Sequence, residues 1–469
     1  MAACLALLAT ACGERGAFEE GLPSIVLVSI DSLRPDHLSA YGYGFETSPF
    51  LDQLAREGVR FTNAVSTTSW TLPAHAALFT GLQDSVHGVV DNGLRLGEEH
   101  VTLAEVLRSR GYHTAGFFGG PYLHPTFGLA QGFDVYRSCM TTIPDGTEDG
   151  AVRRSAMQPR APSHVDVTGP RTREEVRRWA DDVEAERPFF LFVHLWDVHY
   201  DYRAPREYVE RFDPDYAGPV DGRLLDNPAI RPGMNERDAK HLLALYDAEI
   251  RFTDDVLRGI LDDLGARGLL EEALVVVTAD HGEEFFEHGD RGHNKTLFEE
   301  VLRVPLVVRW SGRIAGGRVV DDQVQLIDLL PTLARAARVP ETLAVQGRDL
   351  TPLLEGGTLP PRDALAELLL DRRSLRALRS NERKVVQARE GGPVRVFDLV
   401  ADPGERTPLD PVRGAGDARS PRAALEDATA RMQRFRSALA DRGADSIELT
   451  PELEEQLRSL GYLGVDEGD

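Results

Sequence analysis

Several short apolar runs, rich in Val, Ile, Leu and Phe, predict the buried strands of this chain. They cover residues 24–30, 189–193, 274–279 and 304–310. Continuous runs of this kind are typical of the parallel strands of α/β sheets, which are covered on both faces. Asp31 follows the first run directly, and Asp280 and His281 follow the third. Because open α/β sheets carry their sites at the carboxyl ends of the strands, we expect these side chains to meet at one edge.

A helix is predicted between Pro73 and Gly81. Proline suits the first turn because its missing N–H is not needed there, and glycine suits the helix end. Thr71 would then lie just before the helix N-terminus, where free N–H groups and the dipole favour an alkoxide or a bound anion. A plain Ser/Thr-rich cap explains the same pattern, since residues 66–69 also carry hydroxyl groups. The local sequence leaves both interpretations open.

The remaining patterns divide the chain into a large region and a smaller one. Periodic apolar positions predict helices over residues 236–264 and 328–338, the second of which should close the main domain. Segments rich in Pro with Arg, Gly or acidic residues, 141–175 and 213–236, are predicted to be surface loops. Short strands are predicted near 377–379, 384–387 and 395–399.

Composition narrows the possible partners. The chain has 469 residues, of which 42% are hydrophobic, enough for one large α/β domain and a smaller one. The formal net charge of -23 argues against general binding of nucleic acid or anionic membranes, which require basic surfaces. We therefore expect no nucleic-acid partner, and anionic substrates would have to be attracted by a metal and local cations.

The first residues predict export. Residues 1–11 are almost all small and apolar, and the segment Leu8, Ala9, Thr10, Ala11, Cys12 resembles the end of a bacterial lipoprotein signal. An ordinary cleaved signal or a frayed terminus is the alternative. We expect a periplasmic or outer-membrane-anchored protein that touches the membrane only through a lipid on Cys12. Cys139 would then remain alone, so no intrachain disulfide is expected.

The segment around Thr71 resembles the active site of a known family. Residues 70–81 read WTLPAHAALFTG, similar to the sulfatase family of the alkaline phosphatase superfamily, whose pattern is Cys or Ser, x, Pro, x, Arg. Further similarities lie at 346–350, which reads QGRDL, and at 397–405, which reads FDLVADPGE. The resemblance implies an alkaline-phosphatase-like α/β/α sandwich around a large mixed sheet, with a smaller C-terminal α+β subdomain. We predict an export signal and tether over 1–21, a catalytic domain over 22–340 and the subdomain over 341–469.

Thr71 changes the chemistry that the resemblance implies. Sulfatases oxidise their Cys or Ser to formylglycine, whose hydrate attacks the sulfate ester, and threonine is not a known substrate for that conversion. We therefore expect no formylglycine. His75 replaces the arginine that holds formylglycine in sulfatases, and we predict that it contacts the oxyanion. A threonine alkoxide beside a metal is used by the phosphate-ester branches of the superfamily.

The resemblance and the strand ends predict the same divalent metal site, formed by Asp31, Thr71, Asp280 and His281. Ser32 stands where sulfatases usually have a second Asp, and His281 stands where calcium-binding sulfatases have Asn. Calcium prefers about six to eight oxygen ligands. An imidazole and the loss of a carboxylate therefore favour zinc or manganese over calcium.

The resemblance also implies residues on the substrate side. His199 matches a histidine that contacts the bound oxyanion, and Lys295 matches the lysine that meets the ester oxygens. His293 and His124 are predicted to bind substrate, while His194 is interpreted as a packed core residue. A second metal held by the additional residues Asp197 and His288, together with His199 and His293, is a further possibility.

The predicted function is metal-dependent hydrolysis of a small-molecule, glycan or lipid ester, with Thr71 as the nucleophile. Phosphate mono- or diesters are preferred as substrates, and sulfate-ester hydrolysis without formylglycine is the alternative. An envelope phosphotransferase and a non-catalytic glycan-binding homologue are further alternatives. Such transferases usually carry several transmembrane helices, and no later run approaches the length of a membrane span.

Overall fold

The structure is a computed structural model that describes residues 21–140, 167–184, 186–340, 343–370, 373–388, 391–409, 420–439, 443–459 and 463. Cys12 and the rest of the predicted signal lie outside these residues, so export and lipidation stay predictions. Within the described ranges, no helix combines the length and apolar character needed to cross a bilayer.

The strands are numbered β1 to β16 along the chain. They are β1 Ile25–Ile30, β2 Val59–Val65, β3 Leu94–Leu96, β4 His113–Phe118, β5 Val135–Ser138, β6 Phe189–Leu195, β7 Leu274–Ala279, β8 Glu284–Phe285, β9 Arg291–Gly292, β10 Arg303–Trp310, β11 Arg318–Gln325, β12 Ala364–Leu368, β13 Leu375–Arg379, β14 Arg383–Ala388, β15 Val394–Asp398 and β16 Ala444–Ser446.

The α-helices are numbered α1 to α12. They are α1 Pro49–Glu57, α2 Thr71–Thr80, α3 Asp84–His87, α4 Leu103–Ser109, α5 Gly169–Asp181, α6 Arg206–Phe212, α7 Glu236–Gly265, α8 Glu299–Leu302, α9 Leu329–Ala336, α10 Thr351–Leu354, α11 Pro421–Ala438 and α12 Pro451–Ser459.

An eight-stranded mixed sheet forms the centre of the fold, in the order β11-β2-β10-β7-β1-β6-β4-β5. All its pairs are parallel except those of β10, which runs antiparallel to β7 and to β2. Strand β1 lies between β6 and β7, and every residue of these strands is buried. The predicted α/β/α sandwich around a large mixed sheet is confirmed, and the four apolar runs are β1, β6, β7 and β10.

A smaller antiparallel sheet, in the order β12-β13-β14-β15, follows the main sheet, and α11 packs on it. Leu365, Leu378, Val385 and Leu425 form an apolar cluster between that sheet and the helix. The Gln325 side-chain amide donates to the Leu365 carbonyl at 3.0 Å, so the two sheets are joined by a buried hydrogen bond. The α+β C-terminal region is therefore present, while the division of the chain at residue 340 stays a prediction.

The prediction of a loop over residues 141–175 is wrong for its last part, and residues 141–166 lie outside the described structure. Helix α5 begins at Gly169. Its exposed face carries Arg177 and Arg178, which pair with Glu174 three and four residues away. The Asp197 carboxylate accepts the backbone N–H of Thr168 and Gly169 at the N-terminus, both at 2.6 Å. A cap supplied from a distant segment cannot be read from local composition.

Candidate active site

Two neighbouring strands bring their terminal carboxylates together. Asp31 follows β1 and Asp280 follows β7, and both side chains are fully buried. His281 comes next in the chain, and its ligand atom lies within 4.8 Å of those of both carboxylates. Burial raises the pKa of Asp31 to about 6, while nearby His281 acts in the opposite direction. The expected meeting of these residues at one sheet edge is therefore observed.

Thr71 lies in the same cluster, as the first residue of α2 rather than just before it. Its hydroxyl oxygen is 3.4 Å from Asp31 Oδ2 and 3.3 Å from His281 Nε2, and the residue is 1% exposed. Gly81, in the left-handed region with φ 67°, ends the helix as predicted. The first N–H groups of a helix lack intrahelical partners, so the Thr71 oxygen lies where a negative charge is favoured.

The ring of His281 is oriented as a metal ligand. Its Nδ1 faces the Gly282 carbonyl at 2.9 Å and must carry the proton to donate to it. A neutral imidazole then presents the lone pair of Nε2 toward Asp280 Oδ2, at 3.4 Å, and toward the Thr71 hydroxyl. A carbonyl that accepts from the second ring nitrogen is the usual way in which metal-binding histidines are fixed.

The four residues, which we call the Asp31 cluster (Asp31, Thr71, Asp280 and His281), fit a divalent metal. Asp280 Oδ2 is fully buried and has no hydrogen-bond partner among the described residues, and an uncompensated carboxylate in that position is costly. Ligands about 2.1 Å from a tetrahedral ion stand about 3.4 Å apart. The separations of 3.3 and 3.4 Å within the cluster match that spacing.

Ser32, the residue that replaces the second acid, organises both carboxylates. Its hydroxyl donates to Asp31 Oδ1 at 2.7 Å, and its backbone N–H donates to Asp280 Oδ1 at 3.2 Å. The second bond depends on a left-handed backbone at Ser32, with φ 54°. Ser32 therefore bonds to Oδ1 of each carboxylate, and Oδ2 of each faces the centre of the cluster.

His75 lies beneath the cluster. Its Nδ1 donates to the Thr71 carbonyl at 2.8 Å, and its Nε2 lies 3.1 Å from the Ser29 hydroxyl. Burial lowers the pKa of His75 to about 4, so the ring is neutral at pH 7. Both ring nitrogens are engaged within the protein, an arrangement that fixes the first turn of α2.

His293 connects the Asp31 cluster to a second group of aromatic side chains. Its ring centroid lies 4.4 Å from that of His281 and 4.9 Å from that of His199. Its Nδ1 is 3.0 Å from Glu283 Oε1, and the Tyr202 hydroxyl donates to the other Glu283 oxygen at 3.3 Å. Burial and the nearby Asp31 charge raise the pKa of Glu283 well above its usual range.

The predicted second-metal set is only partly assembled. His199 stacks on Trp196, with ring centroids 3.8 Å apart, and approaches His293. Asp197 instead caps α5, and His288 Nδ1 bonds to Glu300 at 2.5 Å. Of the four proposed ligands, the contacts of the described residues therefore bring His199 and His293 together.

Lys295 and His124 bond to their own loops. The Lys295 ammonium donates to the Arg291 carbonyl at 2.7 Å and lies 3.7 Å from Asp290 Oδ1. His124 Nδ1 accepts from the backbone N–H of Thr126 at 3.2 Å, which caps a short 3-10 turn. Their contacts with substrate stay predictions.

Sequence reasoning assigned no site role to Ser32, Glu283 and His194. His194 is fully buried, and its Nε2 lies 3.3 Å from Asp31 Oδ2. The available signal was that His194 is polar inside the otherwise apolar strand β6. Ser32 could have been found from its position directly after Asp31.

Comparisons with known proteins identify the family and the fold. The family model described as Sulfatase matches residues 23–339. Human arylsulfatase A is 30% identical over 384 residues, covering 73% of this chain and 70% of that protein. An ulvan-active sulfatase from Formosa agariphila is 27% identical over 423 residues, covering 82% and 77%. The phosphonate monoester hydrolase of Agrobacterium radiobacter shares the fold with a TM-score of 0.68 at 24% identity, covering 91% of this chain and 100% of that one.

Proposed function

This chain belongs to the sulfatase family of the alkaline phosphatase superfamily and is an ester hydrolase, and on that premise we propose that Thr71 is its nucleophile and that phosphate mono- or diesters are its substrates. Enzymes of this family use a divalent metal, and the Asp31 cluster offers the residues to hold one. Zinc or manganese suits a set that contains an imidazole better than calcium does.

The position of the Thr71 hydroxyl carries the proposal. It lies 3.4 Å from Asp31 Oδ2 and 3.3 Å from His281 Nε2, at the start of a helix. A bound metal would supply Lewis-acid chemistry, favouring the alkoxide and offsetting negative charge on the ester. Asp31 accepts the hydroxyl hydrogen bond, and the helix N-terminus favours the charge that develops on the oxygen.

The reaction would proceed in two displacements. Thr71 Oγ1 loses its proton and forms a bond to phosphorus while the bond to the leaving oxygen breaks, and one proton is taken up by that oxygen, so that the alcohol departs. Water then forms a bond to phosphorus, the Thr71–phosphorus bond breaks, and a proton from that water regenerates the threonine hydroxyl. The product is phosphate from a monoester or a phosphate monoester from a diester. We assign contact with the ester oxygens to His199 and Lys295, whose cationic or donor groups would offset charge in the transition state.

Phosphate is preferred over sulfate because of residues 71 and 75 together. Thr71 cannot present an aldehyde hydrate, which in sulfatases allows the covalent sulfate to leave by elimination instead of by a second attack on sulfur. His75 lacks the guanidinium fork of the arginine it replaces, and its ring nitrogens bond to Thr71 and Ser29. In-line displacement at phosphorus requires neither feature.

Sulfate-ester hydrolysis is the second candidate, because the proteins similar to this chain include an arylsulfatase and an ulvan-active sulfatase. Rates on p-nitrophenyl phosphate, bis-p-nitrophenyl phosphate and p-nitrophenyl sulfate, measured on one metal-replete preparation, separate the two. We expect kcat/KM for a phosphate ester to exceed that for the sulfate by at least about tenfold, about 1.4 kcal/mol in the barrier. A preference for the sulfate would overturn the phosphoryl assignment.

A further inference from the structure

A turn from Trp196 to His199 begins where strand β6 ends, beside the Asp31 cluster. Leu195, the last residue of β6, pairs in register with Ile30, and its carbonyl accepts the backbone N–H of Asp31 at 2.9 Å. The backbone N–H of His199 donates to the Trp196 carbonyl at 2.9 Å and closes the turn. The turn therefore lies at the same sheet edge as the predicted metal ligands.

The indole of Trp196 lies flat against the ring of His199. The two ring centroids are 3.8 Å apart, the ring planes differ by 17°, and both residues are 2% exposed. The His199 ring centroid also lies 4.9 Å from that of His293, which in turn lies 4.4 Å from that of His281 in the predicted metal site. The indole therefore covers one face of an imidazole that stands at the active site.

Two glycines make room for the indole. Gly119 and Gly120 follow β4, which pairs with β6 so that Phe118 lies in register with His194. A Cβ atom at Gly120 would lie 2.5 Å from Trp196 Cε3, and one at Gly119 would lie 2.5 Å from Trp196 Cβ. Gly120 also has a φ of 84°, which residues with a side chain rarely adopt. A side chain at either position would therefore displace Trp196 or the backbone.

Asp197 anchors the backbone of the same turn. Its two carboxylate oxygens accept the backbone N–H groups of Thr168 and Gly169, at 2.6 Å each. These bonds are charge-assisted, and they place the carboxylate at the N-terminus of α5, where a negative charge is favoured. The turn is therefore fixed at its second residue, and the ring stack fixes the orientation of its fourth.

We propose that Trp196 is a positioning residue for the hydrolytic reaction, which acts through His199 and depends on the glycines at 119 and 120. The indole holds the His199 ring in the orientation in which it contacts the ester oxygens, while Trp196 itself touches no reacting atom. Misplacement of a contacting group by about 1 Å can cost about 100-fold in rate, so the stack has a direct effect on turnover. This inference rests on the proposed function, in which His199 contacts the ester, and adds the residue that orients it.

The test is a double-mutant cycle, measured as kcat and KM on the test ester that the wild type hydrolyses fastest. Trp196→Leu removes the stacked ring and should lower kcat by roughly 10- to 100-fold with little change in KM, because the oriented contact acts mainly in the transition state. Trp196→Phe keeps an aromatic face and should retain most of the rate. In a His199→Ala background, Trp196→Leu should cost less than about threefold, because the effects of residues that act through one another are not additive.

A second variant and a matched control accompany the cycle. Gly120→Ala places a methyl group against the indole and should also lower kcat, with a loss that disappears in the His199→Ala background. Trp179→Leu is the control, because Trp179 is a buried tryptophan whose ring centroid lies 5.9 Å from that of His113. It packs against Phe189, at the opposite end of β6 from the site. Its kcat should stay within about twofold of wild type, as expected for a distant, independent position.

An equal loss from Trp196→Leu in the wild-type and His199→Ala backgrounds would show that the tryptophan only supports the fold, and it would overturn the inference. That result would leave the proposed function standing, whereas wild-type rates in His199→Ala would contradict the proposed role of His199 and the inference with it. If far-ultraviolet circular dichroism shows that the leucine variant is unfolded, a crystal structure of the wild type with orthovanadate, a phosphate analogue, decides. The His199 ring should contact a vanadate oxygen while it stays stacked on Trp196, and a ring that leaves Trp196 to reach the anion would overturn the inference.

Discussion

Replacing Ser32 by alanine should weaken metal binding without unfolding the protein. The Ser32 hydroxyl donates to Asp31 Oδ1 at 2.7 Å, and both residues are fully buried. The substitution removes this hydrogen bond but keeps the backbone N–H that donates to Asp280. Serine and alanine meet a similar steric cost at a φ of 54°, so the backbone need not change.

The size of the effect follows from the charge on the acceptor. A hydrogen bond to a charged group contributes about 1.5–3 kcal/mol, which corresponds to roughly 10- to 150-fold in an equilibrium constant. Loss of an outer partner of a metal ligand typically costs about 10–100-fold in affinity. We therefore expect the Ser32→Ala variant to bind Zn²⁺ or Mn²⁺ about 10–100-fold more weakly than wild type.

The assay is competition with a chromogenic chelator, using metal-free full-length protein. Ser29→Ala is the matched control, because Ser29 is equally buried on β1, the strand that leads to Ser32, and its hydroxyl lies against His75 instead of a carboxylate. Affinity within about twofold of wild type for Ser32→Ala, well under the expected loss, or an equal loss for Ser29→Ala, would refute the assigned role.

Three further outcomes are expected. Thr71→Ala should lower kcat/KM by at least about 1000-fold, about 4 kcal/mol in the barrier, whereas Thr71→Ser retains the hydroxyl and most of the activity. An alanine variant that keeps a tenth of wild-type turnover would remove Thr71 from the nucleophile role. Chelation should abolish activity and lower the unfolding temperature, and zinc or manganese should restore both; stoichiometric calcium in elemental analysis, without activation by either ion, would contradict the metal assignment. Burial raises the pKa of Asp84 from 3.8 to about 8, so the folded protein holds this proton over a pH range in which the unfolded chain has lost it. The stability that this proton contributes is therefore lost as the pH rises from above 3.8 to about 8, at up to about 1.4 kcal/mol per pH unit. Denaturant unfolding between about pH 5 and pH 8 should therefore show a shallower loss for Asp84→Asn than for wild type, and parallel curves would exclude this titration.

Four strands of the main sheet, β1, β6, β7 and β10, could be predicted because they are buried over most of their length. The apolar composition of residues 24–30 and 274–279 predicts buried strands, and these runs correspond to β1 and β7. Helix α5 was missed because it is stabilised by ion pairs on its exposed face and by Asp197, which lies beyond the next strand. Sequence patterns indicate buried strands well, but they do not indicate helix caps that are supplied by residues distant in the sequence.

Candidate site residues could be predicted where polar side chains directly follow an apolar run or mark the start of a helix. Asp31, Asp280 and His281 follow apolar runs, and Thr71 begins the helix that Pro73 marks. His194 lies inside a strand, where a buried histidine is ordinarily a packing residue, and its place beside Asp31 follows only from the register of β6 against β1. Likewise, the Ser32 contacts depend on a left-handed backbone that composition does not reveal.

The stereochemical course at phosphorus tests the central claim most directly. A phosphate diester made chiral with oxygen isotopes, or a chiral phosphorothioate diester in isotope-labelled water, is hydrolysed by the metal-replete wild type, and the configuration of the monoester product is determined. Each in-line displacement inverts phosphorus, so attack by Thr71 followed by attack by water should give net retention. Net inversion would show that water displaces the leaving group directly and would contradict the assignment of Thr71 as nucleophile.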